Sequence, residues 1–145
     1  QRVSQSNVKV SGEVVGKINE GLMVLVSFVD EDNDTDLDWM TKKIINLRIF
    51  NDDEGKMNRS VQDVGGDILL ISQFTLHGST KKGNRPSFIK AANPDFANVM
   101  YERFIKVLEQ SLGREIQTGE FGGDMKVSLV NDGPTTIIID SKDRE

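Results

Sequence analysis

The stretch Ile68–Gly78, ILLISQFTLHG, decides how the chain is organised, because a buried strand ends there in polar residues. Ile68 to Ile71 is an unbroken apolar run, as in a strand that is covered on both faces. The polar residues come immediately afterwards, and burying them without hydrogen-bond partners would cost free energy. The segment therefore predicts either a simple turn or one wall of a functional site. The four residues that follow the apolar run are Ser72, Gln73, Phe74 and Thr75.

The composition is typical of a globular protein with one hydrophobic core. The chain has 145 residues, 37% of them apolar and 28% charged, so we expect a single domain spanning residues 1–145. It contains no apolar run long enough to span a membrane and no cysteine, which together favour a cytoplasmic protein. The net charge of −5 argues against a broad nucleic-acid-binding surface. Because the chain does not begin with Met, we expect further residues before Gln1.

Hydrophobic periodicity predicts about seven or eight strands and two main helices, which indicates the α/β class. Asp34 or Thr35 is expected to cap the first helix. Asn93 and Pro94 predict the start of the second helix, and Gly113 predicts its end. We expect the helices to cover one face of a sheet that packs on a second sheet. The predicted strands are Val8–Val10 and Glu13–Val15 (joined by a Ser11–Gly12 turn), Leu22–Val29, Arg48–Phe50, Asp67–Phe74, Glu115–Thr118, Met125–Val130 and Thr135–Asp140.

The residues that could support hydrolysis or metal binding are few. His77 follows Ser72 closely, but the G-x-S-x-G motif of serine hydrolases is missing, so a catalytic triad is not expected. With one histidine, no cysteine and no EF-hand pattern among the acidic clusters, we expect neither a metal nor a cofactor. A second segment, Asn131–Thr136 (NDGPTT), lies between two predicted strands and is interpreted as a turn or as a second site segment.

Four motifs, in their order and spacing, carry a resemblance to a known family. They are SQFTL at 72–76, KKGNRPSF at 81–88, FGGDM at 121–125 and VSLVNDGPTT at 127–136. Together they resemble the D-aminoacyl-tRNA deacylases (the D-tyrosyl-tRNA deacylase family), and the likeness extends from Gln1 to Asp140. One position departs from the family's usual G-P-V-T pattern, since Thr135 replaces Val. Both residues are β-branched, so we expect the backbone geometry to be kept.

The resemblance implies an enzyme that hydrolyses the ester between a D-amino acid and the terminal ribose of tRNA. It also implies chiral proofreading, action on glycyl-tRNA mischarged on tRNA-Ala, and a three-layer α/β/β fold. Members of this family are homodimers with active sites at the subunit interface. Ser72, Gln73, Phe74 and Thr75 would form the catalytic wall of each site. A Gly-Pro pair joined by a cis peptide, here Gly133 and Pro134, would enter from the partner subunit as the chirality filter.

Further residues receive roles only through this resemblance. Phe121 and Met125 would hold the terminal adenine, while Arg2 and Asn131 would support the Gly-Pro loop. Lys81, Lys82 and Arg85 would contact tRNA phosphates, so an acidic protein needs only a local basic patch for its RNA substrate.

The chemistry leaves Thr75 with two possible roles. It is either a nucleophile or a residue that orients groups while water attacks with help from the 2′-hydroxyl of the tRNA. We favour water attack, because no general base lies near Thr75 in the sequence. Two rival functions are a non-catalytic RNA-binding module and an editing domain of a synthetase.

Overall fold

The computed structural model describes Gln1–Glu145 and contains eight strands, two long helices and one short 3₁₀ turn. The polypeptide therefore has the α/β composition expected from its periodicity. In chain order the elements are β1 (Arg2–Val10), β2 (Glu13–Ile18), β3 (Gly21–Val26), α1 (Asp34–Asn46), β4 (Phe50–Asn51), β5 (Met57–Arg59), β6 (Asp67–Ser72), the 3₁₀ turn (Phe74–His77), α2 (Pro94–Leu112), β7 (Gln117–Thr118) and β8 (Met125–Asn131).

Six strands form one mixed sheet that folds over itself. Its order is β2-β1-β3-β6-β7, and β8 pairs with β1 as well. β1 is antiparallel to β2, β3 and β8, whereas β3 and β6 run parallel from Gly21↔Asp67 to Val26↔Ser72. β4 and β5 form a separate two-stranded hairpin.

Two hydrophobic clusters lie on opposite faces of β3 and β6, which produces three layers. The larger cluster packs both helices onto one face, with Leu22, Ile68 and Leu70 pointing toward Phe104 and Leu108. The smaller cluster joins the other face to β1, β2 and β8 and includes Val3, Val8, Ile18, Met23, Leu69 and Ile71. The alternation along β6 explains this arrangement, because successive side chains in a strand point to opposite faces. The three-layer prediction is confirmed, with the second β layer formed by the same folded sheet.

The helix boundaries follow the capping signals, with one correction. Asn93 caps α2, Pro94 is its first residue, and Gly113 ends it in a left-handed conformation with φ of 79°. α1 is capped by Asn33, not by Asp34 or Thr35, because the Asn33 side chain accepts a hydrogen bond from Thr35 N. The carboxylate of Asp36 in turn accepts a hydrogen bond from Asn33 N, which completes a capping box.

Several predicted strands differ from the structure. The strand predicted at Arg48–Phe50 lies at Phe50–Asn51, the one predicted at Glu115–Thr118 begins at Gln117, and β5 was not predicted. The strand predicted over Leu22–Val29 ends at Val26, and the one predicted over Asp67–Phe74 ends at Ser72. Both predictions extended apolar runs past the point where the parallel ladder stops. The strand predicted at Thr135–Asp140 does not form, because this segment has no strand partner within the chain. Ile138, in its middle, is 92% exposed.

The C-terminal residues dock onto the start of α1. Lys142 Nζ lies 2.8 Å from the Asp36 carboxylate, and the guanidinium of Arg144 lies 4.5 Å from the centre of the Trp39 ring. Burial alone would raise the pKa of Asp36, but the hydrogen bond and charge of Lys142, with the Asn33 N–H, lower it below its usual value. Neither helix has the length and apolar content needed to cross a bilayer.

Candidate functional site

The candidate site lies where the parallel strands β3 and β6 end together. Their ladder closes with Gln73 N donating to Val26 O at 2.7 Å. Beyond this bond β6 continues into the 3₁₀ turn Phe74–His77, while β3 leads into a loop that is tied to the start of α2. In that loop Phe28 O accepts from Ala92 N at 2.8 Å. The carboxyl ends of parallel strands form the crevice in which α/β proteins bind ligands.

The 3₁₀ turn leaves two backbone donors available at this crevice. Two hydrogen bonds connect the turn to its flanking residues: Leu76 N donates to Gln73 O, and Gly78 N donates to Thr75 O. The N–H groups of Phe74 and Thr75 have no acceptor within the chain. Adjacent free N–H groups of this kind can stabilise a developing oxyanion. The polar end of β6 thus provides backbone donors in addition to polar side chains.

A cavity of about 580 Å³ adjoins this turn. Its volume falls in the range of small-molecule sites. The structure brings together the four residues of the predicted catalytic wall and the two predicted adenine-binding residues. Sequence reasoning missed the contributions of the β3 loop and of the segment leading into α2. The lining residues are Ser27, Phe28, Ser72, Gln73, Phe74, Thr75, Phe88, Ala91, Ala92, Asn93, Pro94, Ala97, Phe121, Gly122, Gly123 and Met125.

Aromatic rings frame the cavity on two sides. The rings of Phe74 and Phe88 meet edge to face with centroids 5.2 Å apart. Phe121 lies 5.9 Å from Tyr101, whose hydroxyl donates to Leu70 O at 2.7 Å. Burial raises the pKa of Tyr101 to about 12, so its hydroxyl keeps its proton and its hydrogen bond. These rings give the cavity flat apolar surfaces that suit a nucleobase.

The Gly133–Pro134 loop lies outside this cavity. Both residues are exposed, neither lines the cavity, and the peptide between them is cis, as the resemblance implies. Gly133 has φ of +134°, a conformation that L side chains rarely adopt. One chain therefore places the two predicted halves of the site, the catalytic wall and the Gly-Pro loop, on separate surfaces.

Buried polar contacts hold the Gly-Pro loop in place. Arg2 is 7% exposed, and it donates from Nε to Asp132 O at 2.9 Å and from Nη1 to Ile49 O at 2.7 Å. Asn131 Oδ1 accepts from Thr135 N at 2.7 Å. Thr135 is itself buried, and its carbonyl accepts from Arg2 N at 3.1 Å. The roles expected for Arg2 and Asn131 as loop supports are consistent with these contacts.

The basic residues of the KKGNRPSF motif lie on an exposed loop next to the cavity. The loop is closed by a bridge between Ser79 and Ser87, directly before Phe88 of the cavity wall. Lys81, Lys82 and Arg85 are exposed and form no ion pair with the chain. Their positive charges are thus free to interact with an anionic ligand.

One hydrogen bond at the site could not be predicted from the sequence. Ser27 Oγ lies 2.6 Å from Nδ1 of His77, the single histidine of the chain. Ser27 follows β3 and His77 ends the 3₁₀ turn, so 50 positions separate them in the sequence. Only the register of the parallel strands brings the two residues together, and no local pattern indicates it. The Thr75 hydroxyl makes no hydrogen bond to this imidazole, whose Nδ1 contacts Ser27.

Comparison with known proteins identifies the class of protein. The chain matches the family described as D-Tyr-tRNA(Tyr) deacylase over residues 1–140. It is 62% identical to the D-aminoacyl-tRNA deacylase of Flavobacterium johnsoniae over 145 residues, which is all of this chain and 97% of the relative. The corresponding protein of Bacteroides thetaiotaomicron is 55% identical over the same lengths.

Solved structures agree with the fold. The c-Myc DNA Unwinding Element Binding Protein superposes with a TM-score of 0.90 at 40% identity, covering 94% of this chain and 93% of that one. A probable eukaryotic D-amino acid tRNA deacylase shares the fold, with a TM-score of 0.76 at 20% identity and 90% coverage of each chain. The family match and the curated relatives place the chain in the class of aminoacyl-tRNA hydrolases. More particularly, the chain is a member of the D-aminoacyl-tRNA deacylase family.

Proposed function

We propose that the protein hydrolyses D-aminoacyl-tRNA at a site shared between two subunits, and that it leaves L-aminoacyl-tRNA intact. The observation that carries the proposal is the pair of free N–H groups at Phe74 and Thr75, two residues that line a cavity with aromatic rings in its walls. In the proposed complex the terminal adenine rests against Phe121 and Met125. The ester carbonyl then points toward the two donors. Ser72 and Gln73 complete this wall.

The second wall of the site comes from the partner subunit. Gly133 and Pro134 are exposed and do not line the cavity of their own chain, and Arg2 and Asn131 hold their loop in place. Large apolar side chains are exposed on the same molecule and can be buried by a second copy. Among them are Phe74, Leu76, Ile89 and Ile138, which are 57%, 51%, 91% and 92% exposed. A homodimer in which each Gly-Pro loop enters the partner's cavity accounts for both features.

Handedness is selected by position, because the two enantiomers carry identical groups. The carbonyl oxygens of Gly133 and Pro134 accept charge-assisted hydrogen bonds from the α-ammonium of the substrate. With the ammonium and the ester both fixed, a D side chain points out of the cavity and an L side chain collides with the Pro134 wall. Glycine has no side chain to collide, so glycyl-tRNA, including glycine mischarged on tRNA-Ala, is also a substrate.

Hydrolysis proceeds by attack of water on the ester carbonyl. The new carbon–oxygen bond produces a tetrahedral oxyanion, which the N–H groups of Phe74 and Thr75 stabilise. The bond to the ribose 3′-oxygen then breaks, and a proton from the attacking water reaches that oxygen through the 2′-hydroxyl. The products are the free amino acid and tRNA. Thr75 orients groups in this scheme, because its hydroxyl has no hydrogen bond to a base.

The tRNA itself is held near the cavity by a small basic patch. Lys81, Lys82 and Arg85 lie on the loop that leads into the cavity wall at Phe88. Each cation that contacts a phosphate releases counterions, which favours binding even though the net charge of the chain is −5. A local patch suffices, because the reacting ester lies at the very end of the acceptor strand.

The proposal is tested by hydrolysis assays on tRNA charged with either enantiomer of one amino acid. We expect the D-form and glycyl-tRNA to be deacylated, and the L-form to persist at the spontaneous rate. Equal hydrolysis of both enantiomers would contradict the chirality filter, and hydrolysis of neither would contradict the function. Protein with Lys81, Lys82 and Arg85 replaced by Gln should show a higher KM with a smaller change in kcat, since these residues contact phosphates of the acceptor end and not the reacting ester.

A further inference from the structure

The Ser27–His77 pair has no role in the mechanism described above, although it lies at the reacting end of the cavity. Ser27 lines the cavity, and its hydroxyl lies 2.6 Å from Nδ1 of His77. The same Ser27 oxygen lies 3.5 Å from the carbonyl oxygen of Phe74. The two contacts join the end of β3 to both ends of the 3₁₀ turn.

Counting protons gives this small network a direction. A serine hydroxyl has one hydrogen to donate, and a neutral imidazole carries its proton on only one of its two nitrogens. If Nδ1 carries that proton, His77 donates to Ser27 Oγ, and the Ser27 hydroxyl is free to donate to Phe74 O. If Nδ1 is bare, the Ser27 hydroxyl must turn toward the ring, and Phe74 O loses its contact with that hydrogen. Only the first arrangement satisfies both contacts.

We infer that Ser27 and His77 form a hydrogen-bond relay that positions and polarises the peptide between Phe74 and Thr75. The relay runs from His77 Nδ1–H to Ser27 Oγ–H and on to the Phe74 carbonyl. That carbonyl shares its peptide unit with the N–H of Thr75, one of the two proposed oxyanion donors. A hydrogen bond accepted by a carbonyl strengthens the N–H of the same peptide as a donor, because linked hydrogen bonds polarise one another.

The relay rests on the proposed function, and within it Ser27 and His77 are positioning residues. Neither touches the reacting atoms, and the histidine is not a general base for Thr75. The 3.5 Å contact is long for a hydrogen bond in the resting protein. Catalytic hydrogen bonds are often long before substrate binds, and they tighten as charge develops. The relay therefore acts mainly on the transition state, so its loss should lower kcat and leave KM nearly unchanged.

The test compares variants that break the relay with variants that preserve it, on D-aminoacyl-tRNA. Ser27→Ala and His77→Phe each remove one member. Ser27→Thr keeps the hydroxyl, and His77→Asn places an amide N–H near the position of Nδ1. We expect the first two changes to lower kcat about three- to tenfold, the effect of losing one neutral hydrogen bond. The two conservative variants should recover most of this loss.

A double-mutant cycle separates the relay from independent structural effects. Because both residues act through one peptide, the kcat of the double variant Ser27→Ala/His77→Phe should be no lower than that of the slower single variant. Unchanged kcat in Ser27→Ala, additive losses in the double variant, or an effect confined to KM would each overturn the relay while leaving the proposed function intact. No turnover by the wild-type protein would overturn the proposed function and the catalytic role of the relay together.

A spectroscopic measurement tests the proton direction without substrate. His77 is the only histidine, so the imidazole ¹⁵N resonances of the full chain need no assignment by mutagenesis. We expect the neutral ring to carry its proton on Nδ1, and Ser27→Ala to shift that resonance. A ring protonated on Nε2, with Nδ1 bare, would overturn the relay even if the variants were slow. Circular dichroism of each variant verifies that it is folded.

Discussion

Thr75 presents a hydroxyl and a backbone N–H at the cavity, and the proposed mechanism assigns the larger role to the N–H. The hydroxyl forms no hydrogen bond to a base, and the contact of the single imidazole is between its Nδ1 and Ser27. The N–H has no acceptor within the chain and can serve as an oxyanion donor. Side chain and backbone can be separated experimentally, because alanine keeps the N–H and proline removes it.

We predict that Thr75→Ala lowers kcat by about tenfold or less, whereas Thr75→Pro lowers it by about 10²–10³, the loss typical of one oxyanion donor. Thr75 lies in the first turn of the 3₁₀ segment, where its N–H makes no internal bond that proline would break. Single-turnover kinetics on D-aminoacyl-tRNA measures both effects. A near-complete loss in Thr75→Ala would instead make the hydroxyl a nucleophile.

At the same scale, sequence reasoning predicted the residues of this wall, which the structure places along one cavity, but it missed some of their neighbours there. The SQFTL segment was identified because its polar residues follow an apolar run, and the motif set then indicated what they do. Ser27 was missed because its significance depends on the register of β3 against β6. Phe88 lies within the KKGNRPSF motif, but only its packing against Phe74 shows that it belongs to the cavity.

Among the elements, α2 and β6 are tied together by a buried tyrosine. Tyr101 is 1% exposed, and its hydroxyl donates to Leu70 O, which also accepts from Gly119 N at 3.3 Å. Burial, together with the charge of Glu102, raises its pKa from 10.0 to about 12. Between pH 10.0 and about pH 12, the Tyr101 hydroxyl is deprotonated in the unfolded chain and protonated in the folded chain. Stability therefore falls as the pH rises through this window.

We predict that this tyrosine contributes about 2–3 kcal/mol to the alkaline loss of stability, because a pKa difference of one unit corresponds to ~1.4 kcal/mol. The matched variant Tyr101→Phe should cost about 1 kcal/mol at neutral pH, since Leu70 O keeps its second donor. It should lack the tyrosine component, about half of which is expressed at pH 11, midway between the two pKa values. Urea denaturation of both proteins at the two pH values measures the difference. Equal alkaline losses would contradict a tyrosine that stays protonated in the folded state.

Predictions of whole elements succeeded where the signals were local. Asn93, Pro94 and Gly113 bounded α2, because caps and a proline at the first helical position act within a few residues. The strand expected at Thr135–Asp140 failed, because alternation and β-branched residues describe a propensity whereas a strand also needs a partner. Neighbouring β8 is already paired with β1, and this segment has no strand beside it.

At the scale of the whole molecule, one chain holds the catalytic wall and the Gly-Pro loop on separate surfaces. The sequence could identify both segments, yet their spatial relation is a property of the fold and of assembly. The exposed Gly133–Pro134 loop and the open cavity are the two complementary parts that the proposed dimer brings together. The central claim is therefore that each working site combines a cavity from one subunit with a loop from the other.

The loop variant for testing this claim is Gly133→Ala. A Cβ there would lie 2.8 Å from Arg2 Nη2 and 2.7 Å from Thr135 Oγ1, and the φ of +134° is unfavourable for alanine. The loop should therefore be displaced while the cavity, which it does not line, keeps its shape. Gly55→Ala is the matched control, because φ is +77° there and a Cβ would meet nothing within 4 Å.

Subunit complementation between Thr75→Pro and Gly133→Ala tests the shared site most directly. Each variant alone should be nearly inactive on D-aminoacyl-tRNA. When the two are refolded together, half of the dimers are mixed, and each of these contains one site with both walls intact. We expect recovery of about a quarter of the wild-type activity, and none when either variant is refolded with itself. Mixed dimers that show no recovery would contradict a site built from two subunits.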